Sequence, residues 1–498
     1  MRYVGDLREA KALLPECQAR LHRWHDENGG EFLRGPAHGW MLGGGGSPEM
    51  GCTLTPMSSN RESGTPPAPG ERGLVRALGV AGLAAGIVNI TIGGGIFRLP
   101  AEVSKTLGAA APLGYLICAF AFGIIVLCIA DAGSRVSLTG GPYAYVETAF
   151  GPFAGFLAGV LLWLLSTFAM SAVSTVFADN VGALLPVVAL PIGRSAFFVV
   201  LFGFFAVVNV RGVKQGARLN TIATVAKILP LLLLAFGAWG AVRAENLVVA
   251  SWPEPATLAR TAIILTFAFS GIEAALVPSG EVKDPSHTVP RAIFLAMGGI
   301  TLLYLMLQVV SRGVLGEGLS SATTAPLAEA AGVALGDWAR TVLLVGASVS
   351  MFGHAGGMML AVSRVLFAFG RDGFLHATVA AIHPVYRTPH VAIALQALTA
   401  IVLAATNSFE RLAILANISV LLLYGACCVA SWQLRRRGVS QGGTPFHGPA
   451  PTVLPWVGVL VIGWMFSSIK PEEWLAILVA LLGATLLYFA ARRRPTPP

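Results

Sequence analysis

The chain has 498 residues, of which 55% are hydrophobic and only 12% charged, against roughly 25% charged in a soluble domain. Its mean hydropathy is +0.71, so spans of ~20 apolar residues are expected to cross a bilayer. This excludes a soluble enzyme, a secreted disulfide scaffold and a disordered protein, and leaves one polytopic membrane domain. The net charge is +9, but residues 1–71 carry seven Lys/Arg against nine Asp/Glu and the remainder 27 against 16. The basic excess lies in short loops between apolar runs, where it sets topology rather than attracting nucleic acid. The six cysteines (17, 52, 118, 128, 427 and 428) have no metal-ligand spacing. The last four fall inside apolar runs and read as small buried hydrophobes rather than disulfide partners.

Residues 1–75 differ from everything after them. They are polar, with a glycine run at Gly43–Gly46 and a Pro-rich stretch, Thr65-Pro66-Pro67-Ala68-Pro69-Gly70. A short amphipathic helix over Leu7–Trp24 is expected there, and disorder elsewhere. There is no apolar signal-peptide core near Met1.

The apolar runs then follow quickly: Ala77–Phe97, Thr106–Ala130, Thr148–Ala178, Ser195–Val210, Leu219–Val242 and Thr261–Gly280. Six more are Ala292–Ser311, Thr341–Ser363, Thr388–Phe409, Leu412–Leu434, Thr452–Ile469 and Trp474–Ala491. Twelve spans put both termini on one side. With that side cytoplasmic, 17 Lys/Arg from Arg72 onward fall inside and nine outside, the bias expected of a cytoplasmic membrane protein. Ser195–Val210 is the shortest, and its flanking Arg194 and Arg211 can snorkel outward.

Two spans look broken. The first contains Ile92-Gly93-Gly94-Gly95-Ile96-Phe97, whose glycines cost ~1 kcal/mol each against alanine in a helix interior. The sixth contains Phe269-Ser270-Gly271-Ile272-Glu273, a glycine beside a mid-span carboxylate. They open successive groups of five spans, and matched interrupted spans point to an inverted-repeat transporter with a midplane site. Freed N–H groups ahead of a half-helix can hold a carboxylate, and freed carbonyls an ammonium group. One site doing both recognises an α-amino acid. The competing explanation for Gly93–Gly95 is close helix packing alone. A phosphate loop is a poor reading, since no Gly-Lys-Ser/Thr follows.

These residues resemble the amino acid–polyamine–organocation transporters. Gly93-Gly94-Gly95-Ile96-Phe97 is similar to that family's Gly-Ser-Gly-Ile-Phe motif, and Phe267-Ala268-Phe269-Ser270-Gly271-Ile272-Glu273-Ala274 to its span-six motif. Glu281-Val282-Lys283-Asp284-Pro285 with Val289-Pro290-Arg291-Ala292-Ile293 resembles the following loop. Ser363-Arg364, Gly370-Arg371-Asp372-Gly373 and Arg387-Thr388-Pro389 resemble the cytoplasmic end of span eight. The resemblance covers residues 72–491 and departs at Gly94, where many relatives have serine.

The resemblance implies an all-α membrane fold of twelve helices, a LeuT-like 5+5 inverted repeat plus two accessory helices. Its segments would be a cytoplasmic tail (1–75), a transport core (76–434), and spans eleven and twelve with the C-terminus (435–498). The substrate carboxylate would meet N–H groups near Gly94, Gly95 and Ile96, beside Gly93, and its amino group carbonyls near Thr91, Ile92, Phe269 and Ile272. Ser270 and Gly271 complete the second break. Phe267 matches an aromatic gate of the arginine/agmatine antiporter branch, and Glu273 that branch's span-six glutamate, implicated in gating and proton sensing. Amino acid transport by alternating access follows, spans one and six moving against three, four, eight and nine. Protons and the bilayer are the expected partners, with no cofactor, metal or nucleic acid, as a monomer or homodimer.

Lys227 lies mid-span in span five, before Ile228-Leu229-Pro230. An intramembrane lysine is a functional group by default, and burial makes it able to exchange a proton. It resembles a lysine that takes the place of a sodium ion in some sodium-independent relatives; the competing reading is snorkelling from a span end. Glu273 has a rival role too, capping the second half-helix. His354 is the sole histidine deep in a span and reads more readily as a hydrogen-bonding residue than as a relay. Asp131, Glu147 and Asp179 are expected at the interface. Trp163, Ser166 and Met170 share one face of span three, and Pro326–Ala334 reads as an outer amphipathic helix, a lid in related transporters. The resemblance leaves symport, exchange and amine or polyamine transport open. A channel would need a filter or charge ring, and a membrane enzyme clustered His, Asp or Glu; neither pattern is present. With Glu273 the sole charged pocket residue, a neutral amino acid is preferred to a cationic one.

Overall fold

The computed structural model of the chain describes residues 79–136, 141–211, 216–249, 251–276, 282–322, 324–441, 445–446 and 448–492. The tail with its expected helix at Leu7–Trp24, and Glu281 of the loop motif, lie outside them. The described residues form helices and no β-strand. Seven helical stretches are long and apolar enough to cross a membrane: Leu99–Arg135, Pro152–Leu184, Pro191–Arg211, Ser286–Leu315, Asp337–Arg371, Phe409–Arg436 and Pro471–Ala491. Shorter apolar helices include Val80–Thr91, Lys227–Gly237, Pro255–Phe269, His390–Thr406 and Leu454–Phe466. The protein is an all-helical, multi-pass membrane protein.

Proline repeatedly opens these helices, at Pro142, Pro152, Pro191, Pro255, Pro326 and Pro471. Its missing N–H would be unsatisfied at a first turn anyway, and its fixed φ suits the helix. Phe409–Arg436 is the most enclosed long span, with 78% of its apolar window buried, and Pro471–Ala491 the least, with 17%. The central helix packs against Pro152–Leu184, Ala111–Arg135 and Pro255–Phe269. Between these walls lie the two interruptions.

Two charged clusters brace the bundle. Arg98, just after the first break, donates to Asp179 (3.1 Å) and to Glu102 (3.0 Å), and Arg194 also pairs with Asp179. Arg194 therefore turns inward to a carboxylate rather than snorkelling. Asp131, expected at the interface, is only 4% exposed. It accepts from Arg135 Nε (3.1 Å), Arg435 (2.7 Å) and Ser431 Oγ (2.6 Å). Three donors make its burial tolerable, where one charge alone would be costly. Pro326–Leu335 is helical as expected, but Pro326, Leu327, Ala328, Ala330 and Ala331 are buried against neighbouring helices. Cys118, Cys128, Cys427 and Cys428 are free and buried.

Candidate functional site at two broken helices

The first helix, α1 (Val80–Thr91), stops where the glycines begin. Ile92 leaves helical geometry, Gly93 is extended, and a short 3-10 turn, Gly94–Phe97, leads into α2 (Leu99–Leu107). The sixth apolar run behaves alike: Pro255–Phe269 ends at extended Ser270, and Ile272–Ala275 restarts after Gly271. Gly271 has φ +122°, a conformation that only glycine adopts without strain. A methyl group there would lie 3.0 Å from Thr91 Cα, so the two breaks touch.

The backbone at the two breaks is satisfied differently. Gly93 N–H donates to Thr91 O at 2.7 Å. The buried Gly94 and Gly95 N–H groups open the 3-10 turn, and among the described residues neither donates to a protein acceptor. Buried amides without a partner are rare, so this pair needs an acceptor from elsewhere. At the second break Gly271 N–H donates to Glu273 Oε2 at 2.9 Å, and Tyr424 Oη–H donates to the same oxygen. Glu273 thus performs the capping expected as its rival role. From the same helix as Tyr424, Asn417 Nδ2 donates to Ile263 O at 2.6 Å.

A cavity of ≈ 50 Å³ lies between the breaks. Of the residues singled out by sequence, Thr91, Gly93, Gly95, Ile96, Phe267, Ser270, Gly271 and Glu273 line it. Ile92, Gly94, Phe269 and Ile272 do not. Gly94 instead faces helix packing: a methyl there would lie 2.6 Å from Val173 Cγ1 and 3.2 Å from Met351 Cγ. The serine common at this position therefore has no room. Phe267 lies over Gly95, where a methyl would be 2.5 Å from its Cδ1, and packs edge-on against Phe409. Phe269 points into the core between Phe122 and Tyr304. The Thr91 carbonyl, expected to be open, already accepts from Gly93 N–H and from Tyr304 Oη at 3.3 Å.

Further lining comes from residues with no sequence signal of their own: Leu165, Ala169 and Val173 on Pro152–Leu184, and Met358 on Asp337–Arg371. Ser166 and His354 also line it, whereas Trp163 donates from Nε1 to Gln396 at 3.0 Å and Met170 is core. Lys227, 6% exposed, donates from Nζ to the Asn89 carbonyl in the last turn of α1. It points inward to the broken helix, not outward to an interface.

A family model described as amino acid permease matches residues 78–497. The chain belongs to the amino acid permease family. It is 26% identical over 444 residues to the methylthioribose transporter of Bacillus subtilis (strain 168), covering 85% of this chain and 95% of that one. It is 27% identical over 449 residues to that organism's branched-chain amino acid permease BcaP, with the same coverage. The serine/threonine exchanger SteT of the same organism is 24% identical over 453 residues, 85% of this chain and 99% of that one. This family and these relatives are transporters, so the chain is a permease and not an enzyme.

Proposed function

We propose that this permease is a secondary active transporter that carries amino acids by alternating access around the cavity between the breaks. Twelve spans, the first ten forming two inverted groups of five, and cytoplasmic termini complete the reading. The core is residues 76–434, flanked by a cytoplasmic tail (1–75) and by accessory spans eleven and twelve (435–498).

The observation that carries it is the pair of buried Gly94 and Gly95 amides that have no acceptor among the described residues, at a break that lines a small cavity. A substrate carboxylate supplies the acceptors these donors lack, at the N-terminus of a 3-10 turn where partial positive charge favours an anion. The substrate ammonium group turns to the carbonyls flanking the breaks. Glu273 fixes the second break, and Phe267 closes the cavity over Gly95.

Lys227 couples transport to protons. Its ammonium group, bonded to the last turn of α1, holds that helix from the position a sodium ion would otherwise need. Losing the proton frees the Asn89 carbonyl and loosens α1 against span five, linking proton release to rearrangement of the first break. Obligate exchange is the second reading, favoured by the similarity to a serine/threonine exchanger along nearly its whole length.

Uptake of a labelled amino-acid panel into proteoliposomes, with and without an inward proton gradient, tests this. Gradient-driven accumulation is the expected result. Uptake seen only after internal loading with unlabelled amino acid would replace symport by exchange. No flux of any amino acid through folded protein would contradict the reading.

A further inference from the structure

Most polar groups around the cavity are spoken for. Ser270 Oγ donates to Phe267 O at 3.2 Å, and Glu273 is held by Gly271 N–H and Tyr424. Three side chains are not. Thr91 Oγ1 is buried with no hydrogen-bond partner, and so is His354 Nε2. The hydroxyl of Ser166, on a third helix, makes no hydrogen bond among the described residues. A buried group of this kind costs about 1–3 kcal/mol while unsatisfied. Other such atoms lie in the core, at Gln308 and Ser311 among others, but Thr91 and His354 are the two that line the cavity.

We propose that His354, Thr91 and Ser166 form a side-chain subsite that selects small amino acids bearing a hydroxyl, with His354 as its main reader. This rests on the transport reading above and names its substrate class. His354 Cε1 lies 4.0 Å from where a Cβ on Gly93 would stand, so the imidazole borders the first break. The ring is thereby within reach of a substrate whose carboxylate sits at this break.

Size and charge narrow the class further. A cavity of ≈ 50 Å³ is small, which favours a short side chain over a bulky one such as phenylalanine. Val173 and Met351 already fill the space beside Gly94 that would let it grow. The Glu273 carboxylate in the wall disfavours an anionic side chain, and Lys227, within electrostatic reach of His354, a cationic one. A neutral hydroxyl can both donate and accept, which suits one imidazole and two hydroxyls.

The test is competition against labelled serine uptake in proteoliposomes of the full chain, using pairs that differ by a hydroxyl against a methyl. Serine and threonine should outcompete 2-aminobutyrate and valine by about tenfold or more, because an analogue lacking the hydroxyl leaves the site's groups unpaired. Leucine and phenylalanine should compete poorly. In His354→Leu the serine-to-alanine preference should fall toward one. Equal competition by 2-aminobutyrate and valine would overturn the proposal, and needs no variant. So would a His354→Leu protein, folded by size-exclusion chromatography, that keeps the wild-type preference. Absence of any amino-acid flux would instead remove the transport reading beneath it, and the subsite with it.

Discussion

The two broken helices solve one physical problem in opposite ways. At Ser270–Gly271 the exposed backbone is taken up by the protein itself, through Glu273 and behind it Tyr424. At Gly93–Gly95 no side chain caps the break, the Gly94 and Gly95 amides have no acceptor among the described residues, and Gly93 and Gly95 line the cavity. A break satisfied internally holds its shape whether or not ligand is bound. A break left unsatisfied is completed by the ligand, so its geometry becomes part of binding. On the proposed reading the second is therefore a fixed wall, and the first the substrate site.

Substitutions that sharpen this contrast should act on affinity at one break and on stability at the other. The largest effect is expected at Gly95→Ala, where the new methyl meets Phe267 Cδ1 at 2.5 Å. Overpacking of about 1–3 kcal/mol at a binding surface should lower uptake by about tenfold or more, chiefly through KM. Initial-rate uptake at matched amounts of folded protein measures it, and an unchanged KM would erase the contrast.

Lys227→Met should come next. It removes the donor to Asn89 O and with it gradient-driven accumulation, while exchange against internal substrate persists at a reduced rate. Parallel accumulation and counterflow assays separate the two. Retention of accumulation would return Lys227 to a purely structural role.

At the second break the effects should be on stability. Gly271→Ala forces φ +122° on an L side chain against Thr91, costing about 1–3 kcal/mol. Its melting temperature in detergent should fall clearly, with KM for residual uptake within about threefold of wild type. Tyr424→Phe deletes one bond to a buried carboxylate, a loss of about 1.5–3 kcal/mol, and should produce a comparable shift of the same kind. A large KM change in either variant with no loss of stability would show that the second break also reads substrate.

The breaks were legible in the sequence because glycine runs and a mid-span carboxylate conflict with an apolar helix, and the conflict is local. The all-helical membrane fold was legible from apolar runs for the same reason. What surrounds the breaks was not. Tyr424 stands 151 positions from Glu273, and the Ser431 that makes Asp131 burial possible stands 300 positions away. Neither carries a periodic or compositional signal. The burial of Asp131 is not readable without its distant partners Arg435 and Ser431. The crowding beside Gly94 was hidden in the same way, since Val173 and Met351 arrive from two other helices to fill that space. His354 was visible as a lone intramembrane histidine, but its lack of a partner is a property of three-dimensional packing.

The most direct test of the central claim is competition for transport by a matched set: an amino acid, its amide and the corresponding decarboxylated amine. If the Gly94 and Gly95 amides hold the substrate carboxylate, the amino acid should inhibit labelled uptake at least about tenfold more strongly than either analogue, since charge-assisted bonds to both donors are lost. Equal inhibition by all three would show that the first break does not bind the carboxylate, and the contrast between the two breaks would fall with it.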